Sequence, residues 1–440
     1  MKIKELKNKD LVILGIGREG LDSFLFLRKI FPHKIISIAD QKEVSELDPE
    51  TEKILSRDDQ IKYYGGKDYL KCLKNFDITI KSPGIQFDKI KKSLKNGSAV
   101  TSQTQLFFEN CPAKIIGVTG TKGKSTTSAL IYNLLKKSKK PAYLLGNIEK
   151  PSLSYLLKIK KKDWVVYELS SHQLQFLKSS PHIAIFLNIY PEHLDYYKDF
   201  KDYFNAKTTI AKFQTSRDYF IFNSSFKEIS GLAKKIKSKK IKIEPQKYAE
   251  MFKQHPEFKK ITHGENIAAV IEVGKILKLT NKQILKGMKT FKPLSHRLEL
   301  IGKFGGIEFY DDSIATIPEA TIFALHTLGK NVETIILGGF DRGIDFKKIS
   351  DEVSANHNLK NLIFLPTSGE KIWAGIDSKN KARFNKYFVN DMESAVKICF
   401  EKTTPGKICL LSCASPSFGL FKCYKERGNL FKEYVMQYAK

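Results

Sequence analysis

Tryptophan is scarce in this chain, and its six cysteines form no Cys-x-x-Cys pair and have no histidine at zinc-finger spacing. These absences exclude a disulfide-built secreted scaffold and a zinc finger, and they predict reduced, mostly structural thiols at Cys72, Cys111, Cys399, Cys409, Cys413 and Cys423. No apolar run approaches the roughly 18 residues that a membrane-crossing helix needs, and the basic start at Met1 leads into a strand-like run and not a signal peptide. A cytoplasmic protein without membrane insertion is expected. Negative charge is also short: 47 acidic residues face 75 basic ones, a formal charge of +28. Such an excess suits an anionic partner, but the lysines are spread through every segment, and the runs at 158–162 and 234–240 fall between apolar segments, as solvated faces do. No nucleic-acid partner is therefore expected, although a small anionic substrate would profit from the same field. Internal repeats and long low-complexity linkers are missing too. What is present, 440 residues with 42% hydrophobic content, suffices for several packed cores.

From Asp10 to Phe108, apolar runs at 11–17, 34–40 and 76–81 alternate with amphipathic stretches, which implies a parallel sheet with helical crossovers. The first run closes on Gly15 to Gly20, a dinucleotide-type fingerprint that includes Gly17 and Arg18. Asp40 ends the second run about where a ribose-binding acid would sit. Taken alone this stretch reads as a nicotinamide site, but the signal says only that a diphosphate fits near a helix start. Ser82, Pro83 and Gly84 follow the third run as a further loop at the same sheet edge. A second segment, about 102–292, has strand-like runs at 115–119, 164–168 and 183–189, and a third, from about Pro293, has them at 307–312, 333–339, 361–365 and 407–412. The expected architecture is α/β with three domains in series, 1–102, 103–293 and 294–440.

The sharpest motif runs from Gly117 to Thr127. A buried strand meets a glycine turn at Gly120 and Gly123, and a helix follows from Ser125, so that unpaired amides and the positive helix end converge where an anion would lie. Lys124 would reach the terminal phosphates of a nucleotide triphosphate and the Ser125 hydroxyl would ligate Mg²⁺. Gly117 and Gly123 enclose five residues where the usual P-loop has four, so a variant loop is indicated. Glu168 ends an apolar strand, which would deliver its carboxylate to the edge where a magnesium-binding acid belongs. His193 and Asp195 follow the next strand-like run on a loop that could fold over the phosphates. Lys207, judged by residue type alone on its helical stretch, reads as a lysine that meets solvent.

Together these residues closely resemble the Mur ligase family of peptidoglycan synthesis, through Thr119 to Thr126, Glu168 to Ser171, Asn188, His193 to Asp195, Tyr203, Ala206-Lys207 and His296-Arg297. Gly15 to Gly20, Ser82 to Ile85, Asp312 to Thr316, Leu337 to Gly339 and the tail 411–428 extend the resemblance over essentially the whole chain and point to the D-glutamate-adding branch. The resemblance implies a Rossmann-like uridine-nucleotide domain, a central P-loop ATPase domain and a Rossmann-like amino-acid domain. It implies UDP-N-acetylmuramoyl-L-alanine and D-glutamate as substrates; a monomer is expected. Gly17, Arg18, Asp40, Ser82, Pro83 and Gly84 would serve the uridine nucleotide. ATP would meet Gly120, Thr121, Lys122, Gly123, Lys124, Ser125 and Thr126, with Asn266 at adenine, Arg297 at phosphate and Asp312 at ribose. Two Mg²⁺ ions would be held by Ser125, Glu168, His193 and Lys207, the last as a carbamate, because condensation with CO₂ turns a repelling cation into an anionic oxygen ligand. Asn147 would meet the substrate carboxylate or phosphate, while Thr316, Arg342, Ser417 and Tyr424 would receive the amino acid. The chain departs from the family's better-known pattern at Ile314 and Phe340 to Gly343, where lysines are common, and at Lys122, where asparagine is usual.

Overall fold

Strands whose residues are buried on both faces form the centre of each layer, as parallel sheets covered by helices require. The computed structural model describes residues 1–148, 151–193, 196–260, 263–292, 295–341 and 343–439, with the backbone alone for Lys259 and Lys260. The first sheet contains β1 (Leu11–Leu14), β2 (Ile36–Ala39), β3 (Ile61–Tyr64), β4 (Ile78–Lys81) and β5 (Ala99–Thr101), in the order β3-β2-β1-β4-β5 and parallel throughout. The second has β6 (Lys114–Thr119), β7 (Ala142–Gly146), β8 (Trp164–Glu168), β9 (Ile183–Phe186), β10 (Tyr219–Phe222) and β11 (Lys239–Lys242), in the order β11-β10-β9-β6-β8-β7. The third has β12 (Glu299–Phe304), β13 (Ile307–Asp311), β14 (Val332–Gly338), β15 (Asn361–Leu365), β16 (Asn385–Phe388) and β17 (Ile408–Leu411), in the order β12-β13-β17-β14-β15-β16. There β12 and β13 form an antiparallel hairpin that the apolar runs do not announce.

The chain divides into two compact units, Met1–Phe291 and Lys292–Lys440. Within the first unit, one apolar cluster runs from Ile13 and Phe24 through Phe107 to Val165, Tyr167 and Phe186, so the first two sheets share a core. A buried carboxylate joins them as well. Asp22, on the helix Arg18–Ile30, accepts from Gln103 Nε2 at 2.8 Å and from the Leu153 amide at 3.0 Å, and it also bonds the Ser154 hydroxyl. An acid at that position faces the first amides of the helix Leu153–Leu156. The boundary expected at 293/294 falls on residues outside the described set.

Strand order places the loops. In the first sheet the chain runs outward through β2 and β3 and returns to β4 beside β1, which creates a crevice at the carboxyl ends of β1 and β4, the usual ligand position in such sheets. In the second sheet β6 lies between β8 and β9, so the loops after these three strands meet. The edge strand β11 consists mainly of exposed lysines, a device against edge-to-edge pairing, and this lysine content hides it from a search for apolar runs.

Gly20 shows how tightly the first loop is built, since a Cβ there would stand 1.9 Å from the carbonyl oxygen of Gly15. Alanine normally favours a helix over glycine by about 1 kcal/mol. Here Gly20→Ala is expected to destabilise the first unit by roughly 1–3 kcal/mol or more through overpacking against backbone, read as a lowered thermal midpoint.

Candidate active site

The turn after β6 uses two left-handed or extended glycines, Gly120 at φ 158° and Gly123 at φ 80°, and Gly123 caps the helix Lys124–Lys137. Asn188, just past β9, fixes this turn from outside. Its carbonyl accepts from the Thr121 amide at 3.1 Å, its Oδ1 from the Lys122 amide at 2.8 Å, and its Nδ2 donates to the Lys122 carbonyl at 3.1 Å. The Thr121 hydroxyl adds contacts to the Tyr190 amide at 2.9 Å and the Tyr203 hydroxyl at 3.1 Å. Asn266 is buried against Gly123, where a Cβ would stand 2.5 Å from its Nδ2. Glycine is therefore required at that point for space as well as for φ.

The charges around this turn are mostly positive. Lys124 folds back over its own loop, its Nζ donating to the carbonyls of Gly120 at 3.1 Å and Thr121 at 2.9 Å. Lys122 pairs with Glu192 at 3.0 Å, a partner that sequence reasoning did not single out. Burial pushes the Glu192 carboxyl up, but Lys122 and Lys124 outweigh it and the net shift is downward.

Lys207 corrects the expectation drawn from its residue type. It lies on the helix Phe200–Lys212, is 1% exposed, and its Nζ donates to the Gly120 carbonyl at 3.0 Å and lies 4.9 Å from the Tyr203 ring centre. Burial, followed by the neighbouring charge of Lys124, drives its pKa well below the ordinary lysine value, against the opposing pull of Glu192 and Glu168.

Glu168 is likewise buried at the end of β8. Its Oε1 accepts from Asn147 Nδ2 at 3.3 Å, whereas its Oε2 is buried with no hydrogen-bond partner among the described residues. The structure thus gathers Gly120 to Thr126, Asn147, Glu168, Asn188 and Lys207 at one sheet edge. His193 is there too, at φ 58°, half-exposed, its Nε2 3.8 Å from Glu192 and its ring 6.2 Å from that of Tyr203. Asp195 lies outside the described residues.

In the first sheet the loops after β1, β2 and β4 converge. The Asp40 carboxylate accepts from the amides of Ile16 at 2.8 Å and Lys42 at 3.0 Å, and the Ser82 hydroxyl donates to the Gly15 carbonyl at 2.8 Å. Gly17 and Arg18 are exposed at the start of the helix Arg18–Ile30. Pro83 and Gly84 continue from Ser82 at the same edge.

The second unit has its own polar cluster. Asp312 accepts from the Ser412 hydroxyl at 2.8 Å and from the Leu298 amide at 3.2 Å. Arg297 sits between two residues with positive φ, His296 at 64° and Leu298 at 45°, a strained segment pinned by Asp312 and by Glu299, which accepts from the His296 amide at 2.8 Å. His296, Glu299 and Asp311 lie close enough to hold a metal ion, but the Lys432 ammonium stands 2.7 Å from Glu299 and 3.7 Å from Asp311 and already provides the cation. Sequence reasoning gave Arg427 no role. It is fully buried and donates to the Ser313 carbonyl at 2.7 Å and the Ser415 carbonyl at 3.0 Å, stapling the loop after β13 to the loop after β17. Ser417 is buried on the latter loop, Tyr424 opens the helix Tyr424–Tyr438, and Thr316 is half-buried ahead of the helix Pro318–Leu328. Arg342 lies outside the described residues.

Burial raises the Asp312 carboxyl to about 7, against the partial relief from Ser412 and Arg297. Between about pH 4 and about pH 7 the folded chain therefore keeps a proton that the unfolded chain has lost, so this group's stabilisation is complete at low pH and is lost as pH rises through about 7. Asp312→Asn should flatten this dependence. Denaturant unfolding near pH 5 and near pH 8 should show a smaller pH-linked loss of stability for the variant than for the parent chain.

Residues 118–290 match the family model described as the Mur ligase middle domain. Among relatives, the UDP-N-acetylmuramoylalanine–D-glutamate ligase of Acetivibrio thermocellus is 33% identical over 98% of this chain and 97% of its own length. The enzyme of that name from Listeria innocua serovar 6a is 31% identical over 99% and 98%. The fold also matches MurF ligase from Thermotoga maritima, solved in complex with ADP, at a TM-score of 0.59 and 16% identity, covering 100% of this chain and 97% of that one. The chain belongs to the UDP-N-acetylmuramoylalanine–D-glutamate ligase family of Mur ligases.

Proposed function

We propose that this chain is an ATP-dependent ligase that joins D-glutamate to UDP-N-acetylmuramoyl-L-alanine. The observation that carries this reading is the convergence, at the carboxyl ends of β6, β8 and β9, of the Gly120–Gly123 turn, Lys124, the buried Lys207 and the unpartnered Glu168 carboxylate oxygen. A nicotinamide site at Gly15 to Gly20 would leave that group without a purpose. The acceptor's carboxylate attacks the γ-phosphoryl group of ATP, releasing ADP and forming an acyl phosphate, and the amine of D-glutamate then displaces phosphate through a tetrahedral intermediate. Lys124 neutralises charge that develops on the transferred group, the amides of the glycine turn orient the phosphates, and Asn147 orients the reacting carboxylate or phosphate.

A divalent cation fits the donor set, because a buried carboxylate oxygen without a hydrogen bond is costly unless a cation or donor meets it. Ser125, Glu168, His193 and Lys207 would hold Mg²⁺, which supplies charge neutralisation at the phosphates. Lys207 suits carbamylation. Burial beside Lys124 favours its neutral amine, the form that adds CO₂ to give an N-carboxylate and release a proton. In the first domain, Gly17, Arg18, Asp40 and Ser82 to Gly84 take the uridine nucleotide. Thr316, Arg342, Ser417 and Tyr424 take the amino acid. Asn266, Arg297 and Asp312 are assigned to ATP on family resemblance. The functional division into 1–102, 103–293 and 294–440, a monomeric state and a cytoplasmic location complete the reading. Among the described residues no helix is long and apolar enough to cross a membrane.

ADP release measured across a panel of amino acids, with the UDP-linked acceptor present, tests the reading. D-glutamate should be preferred, and preference for a neutral or basic amino acid would replace it with a sibling ligase activity, the outcome for which Ile314 leaves room. Lys124→Ala should keep the fold by circular dichroism yet lose activity on the order of 10³-fold; near-normal ligation would sink the P-loop assignment. For Lys207→Ala, added formate or acetate should restore part of the activity by filling the vacated anionic position, and no rescue together with an unmodified lysine in the parent chain by mass spectrometry would end the carbamate proposal.

A further inference from the structure

Lys81 ends β4 and is 2% exposed, yet nothing in the proposed reaction uses it. Its Nζ donates to three carbonyls of the next turn, Ser82 at 2.9 Å, Ile85 at 2.6 Å and Pro83 at 3.4 Å, and it faces the Phe176 ring at 5.0 Å. The turn closes with the Ile85 amide donating to the Ser82 carbonyl at 3.2 Å. A Cβ at Gly84 would meet nothing within 4 Å, so side-chain packing does not shape the tip. The shape is imposed from beneath, by one ammonium that gathers the turn's carbonyls inward.

A second grip comes from the second sheet's side of the same unit. The Tyr196 hydroxyl lies 3.2 Å from the carbonyls of Pro83 and Ile85 and from Gln175 Oε1, and Gln86 Nε2 donates to the Tyr196 carbonyl at 2.8 Å. The Tyr196 amide in turn donates to the His193 carbonyl at 3.0 Å, and the His172 ring packs 4.2 Å from that of Tyr196 and 4.9 Å from that of His193. The turn after β4 and the loop carrying His193 thus form one hydrogen-bonded, ring-packed block.

We propose that Lys81 is a positioning residue, whose ammonium holds the Ser82–Ile85 turn in the shape that receives the acceptor's nucleotide, with Tyr196 locking the same turn to the loop of His193. This inference rests on reading the β1–β4 crevice as the uridine-nucleotide site. Charge-assisted hydrogen bonds in a water-poor setting are the strong kind, and loss of the ammonium would take the charged donor from three carbonyls, leaving them only the Ile85 amide and the single proton of the Tyr196 hydroxyl. Burial lowers Lys81 to about 8, partly offset by Glu19, which keeps it largely protonated at neutral pH.

The test is direct binding of UDP and of ATP to the full chain by calorimetry. Lys81→Met keeps the aliphatic stem and removes the charge; it should weaken UDP binding about tenfold or more while changing ATP binding less than about twofold. Should Lys81→Met fail to fold, Tyr196→Phe, which removes one hydroxyl from the same carbonyls, should still weaken UDP binding severalfold. UDP binding by a folded Lys81→Met variant that equals that of the parent chain would overturn the positioning role and leave the nucleotide site standing, as would unchanged binding by Tyr196→Phe where that variant decides. A parent chain that does not bind UDP at all would overturn the nucleotide reading as well.

Discussion

Lysines crowded around one glycine turn, the buried one driven toward its neutral amine, are the constraint around which the second sheet's loops are built. Lys207 is buried, Lys124 lies close enough to depress it further, and Lys122 stands at the rim. Glu192 and Glu168 answer only part of that charge, and one Glu168 oxygen has no hydrogen-bond partner among the described residues. Such an arrangement is costly by itself, and on the proposed reading phosphates and their counterions would offset that cost. The surrounding structure bears this cost through backbone bonds. Asn188 brackets the glycine turn, Thr121 ties it to Tyr190 and Tyr203, and Lys207 and Lys124 both spend hydrogen bonds on the turn's carbonyls.

The same economy recurs at the other two sheets. Each brings loops together at the carboxyl ends of parallel strands, and each uses a buried basic side chain to fasten a loop there. Lys81 gathers the carbonyls after β4, and Arg427 joins the loop after β13 to the loop after β17. Loops with few side chains of their own, such as Ser82 to Gly84, need such a fastener to keep one shape. A cation with several donors suits the task because the exposed groups of an irregular turn are largely carbonyl oxygens.

Much of the fold was legible in the amino-acid order. Val165 and Ile185 sit in unbroken apolar runs, which announce strands buried on both faces, and the turn after β6 announces itself through two glycines ahead of Lys-Ser-Thr at a strand-to-helix junction. Edge strands such as Lys239–Lys242 were not legible, since a half-covered strand needs no apolar run, and neither was the β12–β13 hairpin.

By itself the sequence determined the class of fold, the glycine turn with Lys124 and Ser125, and the family to which the chain belongs, because these depend on local periodicity, local turn sterics and the joint presence of several motifs. The family resemblance named Lys207, but only the tertiary structure shows that it and Lys81 are buried. Nothing in residue type distinguishes Lys207 and Lys81 from the many lysines that meet solvent. Their burial follows from strand order, which lays the helix Phe200–Lys212 against the β6 loop and ends β4 beneath a turn. Glu192 acquires its partner Lys122 in the same way, across the join of two loops far apart in sequence. Electrostatic environment is a property of what surrounds a side chain in space, and in this chain that surrounding exists only once the parallel strands have been placed side by side.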